Sequence, residues 1–241
     1  MEDKVSHLVN TAWDNLQKTP KDRRWLIAIA GMPGSGKTTL SQILAKAINA
    51  RHAATYPEST AAEPIAIVVP MDGFHLTRAQ LSAMPDPAHA HARRGAEFTF
   101  DGAAFLALAR AVREQRLASS APAILAPSFD HAVKDPRDGD IAIGPGHRLV
   151  VFEGNYVCLD RAPWRDAAAL MDARWFVDVD FAVARRRLVA RHVRAGIAAD
   201  EEEAARRADE NDLVNGRLIV AERVAVDDII ESREDESWKH E

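Results

Sequence analysis

The residues of this chain best placed to do chemistry form one run of nine, Gly31-Met-Pro33-Gly34-Ser35-Gly36-Lys37-Thr38-Thr39. Gly31, Gly34 and Gly36 carry no Cβ, so the loop can take positive φ and bring its N–H groups up to phosphate oxygens. A helix that starts where the loop ends adds unpaired N–H groups and the positive end of its dipole, and both favour anions. Lys37 is then set to neutralise β- and γ-phosphate oxygens, and Thr38 to offer its hydroxyl to Mg²⁺. The spacing predicts a triphosphate clamp made of Gly31, Pro33, Gly34, Ser35, Gly36, Lys37, Thr38 and Thr39, with ATP and Mg²⁺ as cofactors.

Two further segments place acids directly after apolar runs. Met71-Asp72-Gly73-Phe74-His75 follows Ile65-Ala-Ile-Val-Val69, and Glu153-Gly154-Asn155-Tyr156 follows Leu149-Val-Val-Phe152. Asp72 is expected to orient an acceptor hydroxyl in line with the γ-phosphate and to take its proton late in transfer; capping a turn or holding Mg²⁺ through water is the other reading. Glu153 is expected at the magnesium, through water, with direct catalysis as the alternative. His75 reads equally as a substrate contact or a satisfied loop histidine. Arg93 and Arg94 suit either an anionic or polyhydroxy substrate or a solvated surface. His89 and His91 have no third zinc ligand near them in the sequence, which favours solvated histidines. Arg187, Arg191 and Arg194 stand at i, i+4 and i+7 and share one helical face. They predict a lid that brings arginines over the transferring phosphoryl group; an exposed helix paired with the acids at 201–203 is the alternative. Asn211 and Asn215, one turn apart, line the site or solvate a helix end.

These side chains need a scaffold, and the hydrophobic pattern describes one. Apolar runs at 25–30, 65–69, 149–152 and 174–179 predict buried strands, with a last one at 226–230 and weaker ones at 123–126 and 141–143. Helical spacing is read over 5–16, 40–48, 105–112 with Asp101 as N-cap, 181–195 and 200–215, with Gly196 as the break between the last two. Residues 51–64 read as a mobile connector, 77–100 as a long substrate-covering loop, and 127–139 as a connector between the weak strands. Alternation of strands and helices predicts an α/β fold with a mostly parallel central sheet covered on both faces, and the loop at 31–39 makes the expected architecture a three-layer P-loop one with a helical lid. It is read as one domain over 1–241: an N-terminal helix within 1–23, an arginine-rich lid at 181–215 and a polar tail at 231–241. In such a sheet ligands bind outside the carboxyl ends of the strands, where the loop at 31–39 and the segments at 71–75 and 153–156 all fall.

Composition narrows the partners. With 241 residues, 47% hydrophobic and 28% charged, the chain has the make-up of an ordinary globular domain large enough for a sizeable core. A net charge of −5 argues against general nucleic-acid or membrane-surface binding. Cys158 is the single cysteine, no apolar leader follows the acidic N-terminus and no run approaches a membrane span, so a cytoplasmic location is expected. A homodimer is an open expectation that no residue demonstrates.

Taken together, residues 31–39, 71–75 and 153–156 resemble the motifs of the phosphoribulokinase/uridine kinase/pantothenate kinase superfamily of P-loop small-molecule kinases, and the resemblance spans about residues 25–230. Its segments Arg93-Arg-Gly-Ala-Glu-Phe-Thr-Phe-Asp101, Pro127-Ser-Phe-Asp-His131 and Glu153-Gly-Asn-Tyr156 are most similar to the uridine-kinase-like, fructose-transport-associated branch. The resemblance implies that Asp72 is the base, that Arg187 and Arg191 belong to an arginine lid, and that Phe129 and His131 lie where an acceptor binds; His75, Arg93, Asn155 and Tyr156 are placed on the same acceptor side. Transfer of the ATP γ-phosphate to a hydroxyl of a sugar, nucleoside or pantothenate-like metabolite is the activity expected. The alternative is a nucleotide-driven switch or assembly ATPase, although no glycine has an aspartate three positions before it, and Asn-Lys-x-Asp is absent.

Overall fold

The computed structural model of the chain describes residues 2–57, 64–130 and 132–232. The uninterrupted apolar stretch Trp25–Gly31 forms β1, and every one of its residues is buried. Burial on both faces explains why it shows no alternation: Leu26, Ala28 and Ala30 enter one apolar layer, while Trp25, Ile27 and Ile29 enter the other. β5 (Leu149–Gly154) divides in the same way, with Val150 and Phe152 on the first face and Leu149 and Val151 on the second.

These two strands form the centre of a five-stranded sheet. With β2 (Ala66–Pro70), β6 (Ala173–Asp178) and β7 (Asp228–Glu231), the order is β2-β5-β1-β6-β7, and every pairing is parallel. After β1 the chain runs to one side of it, to β2 and β5, and from β5 it crosses to the other side, to β6 and β7. The connections therefore diverge beside β1, which opens a crevice at the carboxyl end of that strand. One face of the sheet is covered by α1 (Glu2–Lys18) and α2 (Lys37–Thr55), the other by α5 (Gly102–Glu114), α6 (Trp164–Ala168) and α9 (Leu213–Ala221).

Several expectations are revised. Residues 51–55 continue α2, and 58–63 of the expected mobile connector lie outside the described residues. The stretch at 77–100 carries two short helices, α3 (Arg78–Ser82) and α4 (Pro87–Ala92), stabilised by a capping box at Thr77 and by Asp86 before Pro87 at the first helical position. The weak strands lengthen into β3 (Ile124–Asp130) and β4 (Asp135–Ile143), an antiparallel hairpin separate from the main sheet, with its register shifted at Pro127. Proline has no N–H to give to a ladder, so a bulge is where it fits. Asp101 caps α5, its carboxylate accepting from the Ala104 amide at 2.8 Å. α7 (Phe181–Arg194) ends at Gly196 with φ 61°, as read from the sequence. The next helix differs: α8 (Glu201–Arg207) passes through a π-helical turn, Ala208–Asp212, into α9, six residues beyond the expected end. Of the polar tail, 231 closes β7 and 233–241 lie outside the described residues.

Candidate active site

The glycine loop leaves β1 at Gly31 and enters α2 at Lys37. Gly34 (φ 81°) and Gly36 (φ 90°) adopt the left-handed backbone that side chains resist. Gly31 is required for a different reason, because a Cβ there would meet the Val177 carbonyl oxygen at 2.7 Å. The loop is also held from outside: Arg187 donates to the Gly34 carbonyl at 3.1 Å and to Ser232 Oγ at 2.9 Å.

Across β1 and β5 the acids come into register with the loop. Val69 pairs with Phe152 and Pro70 with Glu153, so the turn Met71–Phe74 starts beside Gly154. A Cβ on Gly154 would lie 2.1 Å from Met71 Cγ, a contact only glycine permits. This packing brings Asp72 and Glu153 to one cavity of about 600 Å³, which Pro33, Lys37, Thr38, His75, Phe129, Asn155 and Arg191 also line. Thr38 donates to Glu153 Oε2 at 3.0 Å. Burial raises the Glu153 carboxyl above its ordinary range and Asp72 adds to that, while Lys37 and the Thr38 hydroxyl pull it down. Desolvation lowers the Lys37 ammonium, with Glu153 and Asp72 acting in the opposite direction and Arg191 in the same one. Lys37 and Glu153 thus sense each other and the Asp72 charge across the cavity.

The remaining expected site residues divide. His75 lines the cavity, its Nδ1 2.8 Å from the Asp72 carbonyl and its ring 4.0 Å from Phe100 and 4.7 Å from Phe129. Arg93 is turned away, with Nε and Nη2 donating to Asn211 (3.0 Å) and Asn215 (2.8 Å); it is Arg94 that borders the cavity. The two asparagines therefore serve Arg93. Tyr156 is fully buried in the apolar layer with its hydroxyl on the Gly95 carbonyl at 2.8 Å, so it supports the site from behind. His131 lies outside the described residues. His89 stacks on Phe98, and His91 is bonded to Ser82. Among the described residues no three His, Cys, Asp or Glu side chains form a metal cluster.

The arginine face expected on α7 also splits. Arg187 grips the loop, Arg191 borders the cavity, and Arg194 opens onto a separate exterior groove with Arg185, Arg186 and Val189. Lys134, Arg207 and Asp212 border the cavity without having been singled out from the sequence. Asp212 is aimed by the π-helical turn and bonded to buried His192 at 2.8 Å, a pairing between residues 20 apart that no local pattern announces. The turn itself follows charged, helix-compatible residues and had no separate signal.

Comparison with known proteins agrees with this fold. No family model matches the chain. Among curated proteins, the ATP-dependent kinase-like protein notR' of Aspergillus versicolor is 54% identical over 160 residues, covering 66% of this chain and 92% of its own. Protein C227.14 of Schizosaccharomyces pombe, provisionally named a uridine kinase, is 41% identical over 209 residues, covering 87% of this chain and 83% of its own. Among solved structures, a Silicibacter protein provisionally titled a fructose transport system kinase superposes with a TM-score of 0.75 at 35% identity, over 92% of this chain and 98% of that one. YFH7 of Saccharomyces cerevisiae, at 24% identity, shares the fold with a TM-score of 0.84 over 96% of this chain and 99% of its own.

Proposed function

This chain belongs to the phosphoribulokinase/uridine kinase family of P-loop kinases, and on that premise we propose that it transfers the γ-phosphate of Mg-ATP to a hydroxyl of a small metabolite, with Asp72 as the proton acceptor. The observation that carries the reading is that Asp72 and Lys37 face the same cavity from the segments that follow β2 and β1, with Glu153 on β5 between those strands and coupled to both. A nucleotide switch leaves the acceptor-side lining by His75 and Phe129 unexplained.

Phosphoryl transfer asks the protein mainly for alignment and charge stabilisation. Loop N–H groups and the Lys37 ammonium cradle the β- and γ-oxygens, Arg191 faces the developing charge, and Asp72 holds the acceptor hydroxyl and takes its proton as the new P–O bond forms. Its neighbour His75 fixes the acceptor end of the cavity against Phe100 and Phe129. Thr38 and Glu153 are hard oxygen donors, and such a sparse protein set fits Mg²⁺, which keeps its waters and takes phosphate oxygens as further ligands. The ion, when bound, supplies charge neutralisation to the β- and γ-phosphates. Buried Glu153 is the residue that would orient its water shell, and Thr38 would contribute its hydroxyl directly.

The test is Asp72→Asn assayed against a metabolite mixture with Mg-ATP, phospho-products being read by mass spectrometry and ATP affinity by calorimetry. ATP affinity should persist while product formation falls at least about 10²-fold, the usual contribution of a positioned base. Undiminished transfer by the asparagine variant would remove Asp72 from this role.

A further inference from the structure

Resting on the phosphotransfer reading, we infer that the acceptor carries an anionic group, a carboxylate or a phosphate, held by Lys134 and Arg94 at the end of the cavity beyond Asp72. A chain of contacts leads there from the reacting centre. His75 follows Asp72 on the same turn and packs on Phe129, and the Arg94 guanidinium lies 5.6 Å from that ring. Arg94 in turn donates to the carbonyls of Leu76 and Lys134 and to Asp135.

Lys134 is the more telling of the two cations. Its φ of 64° makes it the single non-glycine residue with positive φ among the described residues, a conformation that persists only where its surroundings impose it. They do so here. Its N–H donates to the Asp130 carbonyl at 2.7 Å, the Asp130 carboxylate takes the amides of Ala132 and Val133, and its own carbonyl accepts from Arg94. The backbone is tied at both ends, yet the exposed ammonium has no hydrogen bond or ion pair among the described residues, and it borders the cavity. The neighbouring Asp135 carboxylate is already shared by Arg78 and Arg94, and that of Asp130 is taken by backbone amides. The Lys134 charge lines the same cavity as the half-buried faces of His75 and Phe129. An anionic group on the acceptor would compensate it, and the rings would shield the pair from water; a neutral acceptor would leave it unpaired.

The experiment supplies Mg-ATP with matched triples, glycerol, glycerate and glycerol 3-phosphate, then ribose, ribonate and ribose 5-phosphate, together with a cell metabolite extract, and identifies phospho-products by mass spectrometry. Product is expected from acceptors ionised at pH 7, and the carboxylate and phosphate members of each triple separate the two sources of charge. For the acceptor so found, Lys134→Ala should raise KM at least about tenfold at near-constant kcat, and Lys134→Arg should restore it. A neutral acceptor as the preferred substrate, or an unchanged KM in Lys134→Ala, overturns this inference and leaves the kinase reading standing. No acceptor product from any source overturns the kinase reading, and this inference falls with it.

Discussion

Gly73→Ala tests whether catalysis depends on where the Asp72 turn is held. The turn Met71–Phe74 lies against the bulged part of β3, and an added Cβ would sit 2.1 Å from the Pro127 carbonyl oxygen, 2.6 Å from its carbon and 3.1 Å from the Ser128 nitrogen. All three are backbone atoms, so no flexible side chain can yield. Reaching a tolerable separation of about 3 Å requires the turn and the hairpin to part by about 1 Å, and the close-packed interior allows little of this without strain. Overpacking of this kind costs about 1–3 kcal/mol of stability. Asp72 directly precedes the substituted residue, so the displacement reaches its carboxylate, and a misplacement of about 1 Å costs about 10²-fold in rate. The methyl does not touch the glycine loop, so ATP affinity should hold. Turnover with the identified acceptor, ATP calorimetry and a thermal melt together measure the three effects. A variant that melts with the wild type and transfers phosphate at the wild-type rate would refute both the rigidity assigned to this contact and the positional role of Asp72.

Arg191→Ala should lower kcat by about 10³-fold, whereas Arg194→Ala, which alters only the exterior groove, should change it less than about twofold; equal losses would restore a common arginine face. Tyr156→Phe should cost about 1 kcal/mol of stability through the lost bond to the Gly95 carbonyl and leave the acceptor KM unchanged, because the ring is buried behind the cavity; a raised KM would return Tyr156 to the acceptor side. Partial burial pushes the Asp135 carboxyl up, but the Arg78 amide and the Arg94 guanidinium outweigh it and hold it below its ordinary range. The stability this pairing lends is therefore full above the ordinary carboxylate value of about 4 and is lost as pH falls through the lowered one. Asp135→Asn should flatten that part of the acid limb in pH-dependent melts, and an unchanged limb would contradict the assignment.

The chemistry-bearing loop was legible because its meaning is local. Glycines at 31, 34 and 36, a lysine and a threonine, between an apolar strand and a helix, require one another within a dozen residues. The parallel sheet was legible for a related reason: strands buried on both faces are apolar there, as β1 is throughout and β5 is as far as Glu153, while β2 is apolar but half-buried and β6 is interrupted by Arg174 and Asp178. The Gly196 break was equally plain, since a left-handed residue ends a helix wherever it occurs. The helices at 78–92 were not, because they are short, their caps are single residues, and proline and histidine there read as loop.

Among the candidate site residues, the sequence by itself singled out Lys37, Thr38, Asp72 and Glu153, from residue type and from their places at a helix start and after apolar strands, and the structure brings all four to one cavity. Only the tertiary structure decided between neighbours. Helical spacing set Arg187, Arg191 and Arg194 on one face, but along α7 that face meets the Gly34 carbonyl, the cavity and the exterior groove in turn. Arg93 and Arg94 are adjacent and alike in type, and the buried Asn211 and Asn215 on a distant helix claim the first and leave the second to the cavity. Periodicity fixes what a segment buries; which of two equivalent charges reaches a site depends on contacts between residues more than a hundred positions apart, and no local pattern records those.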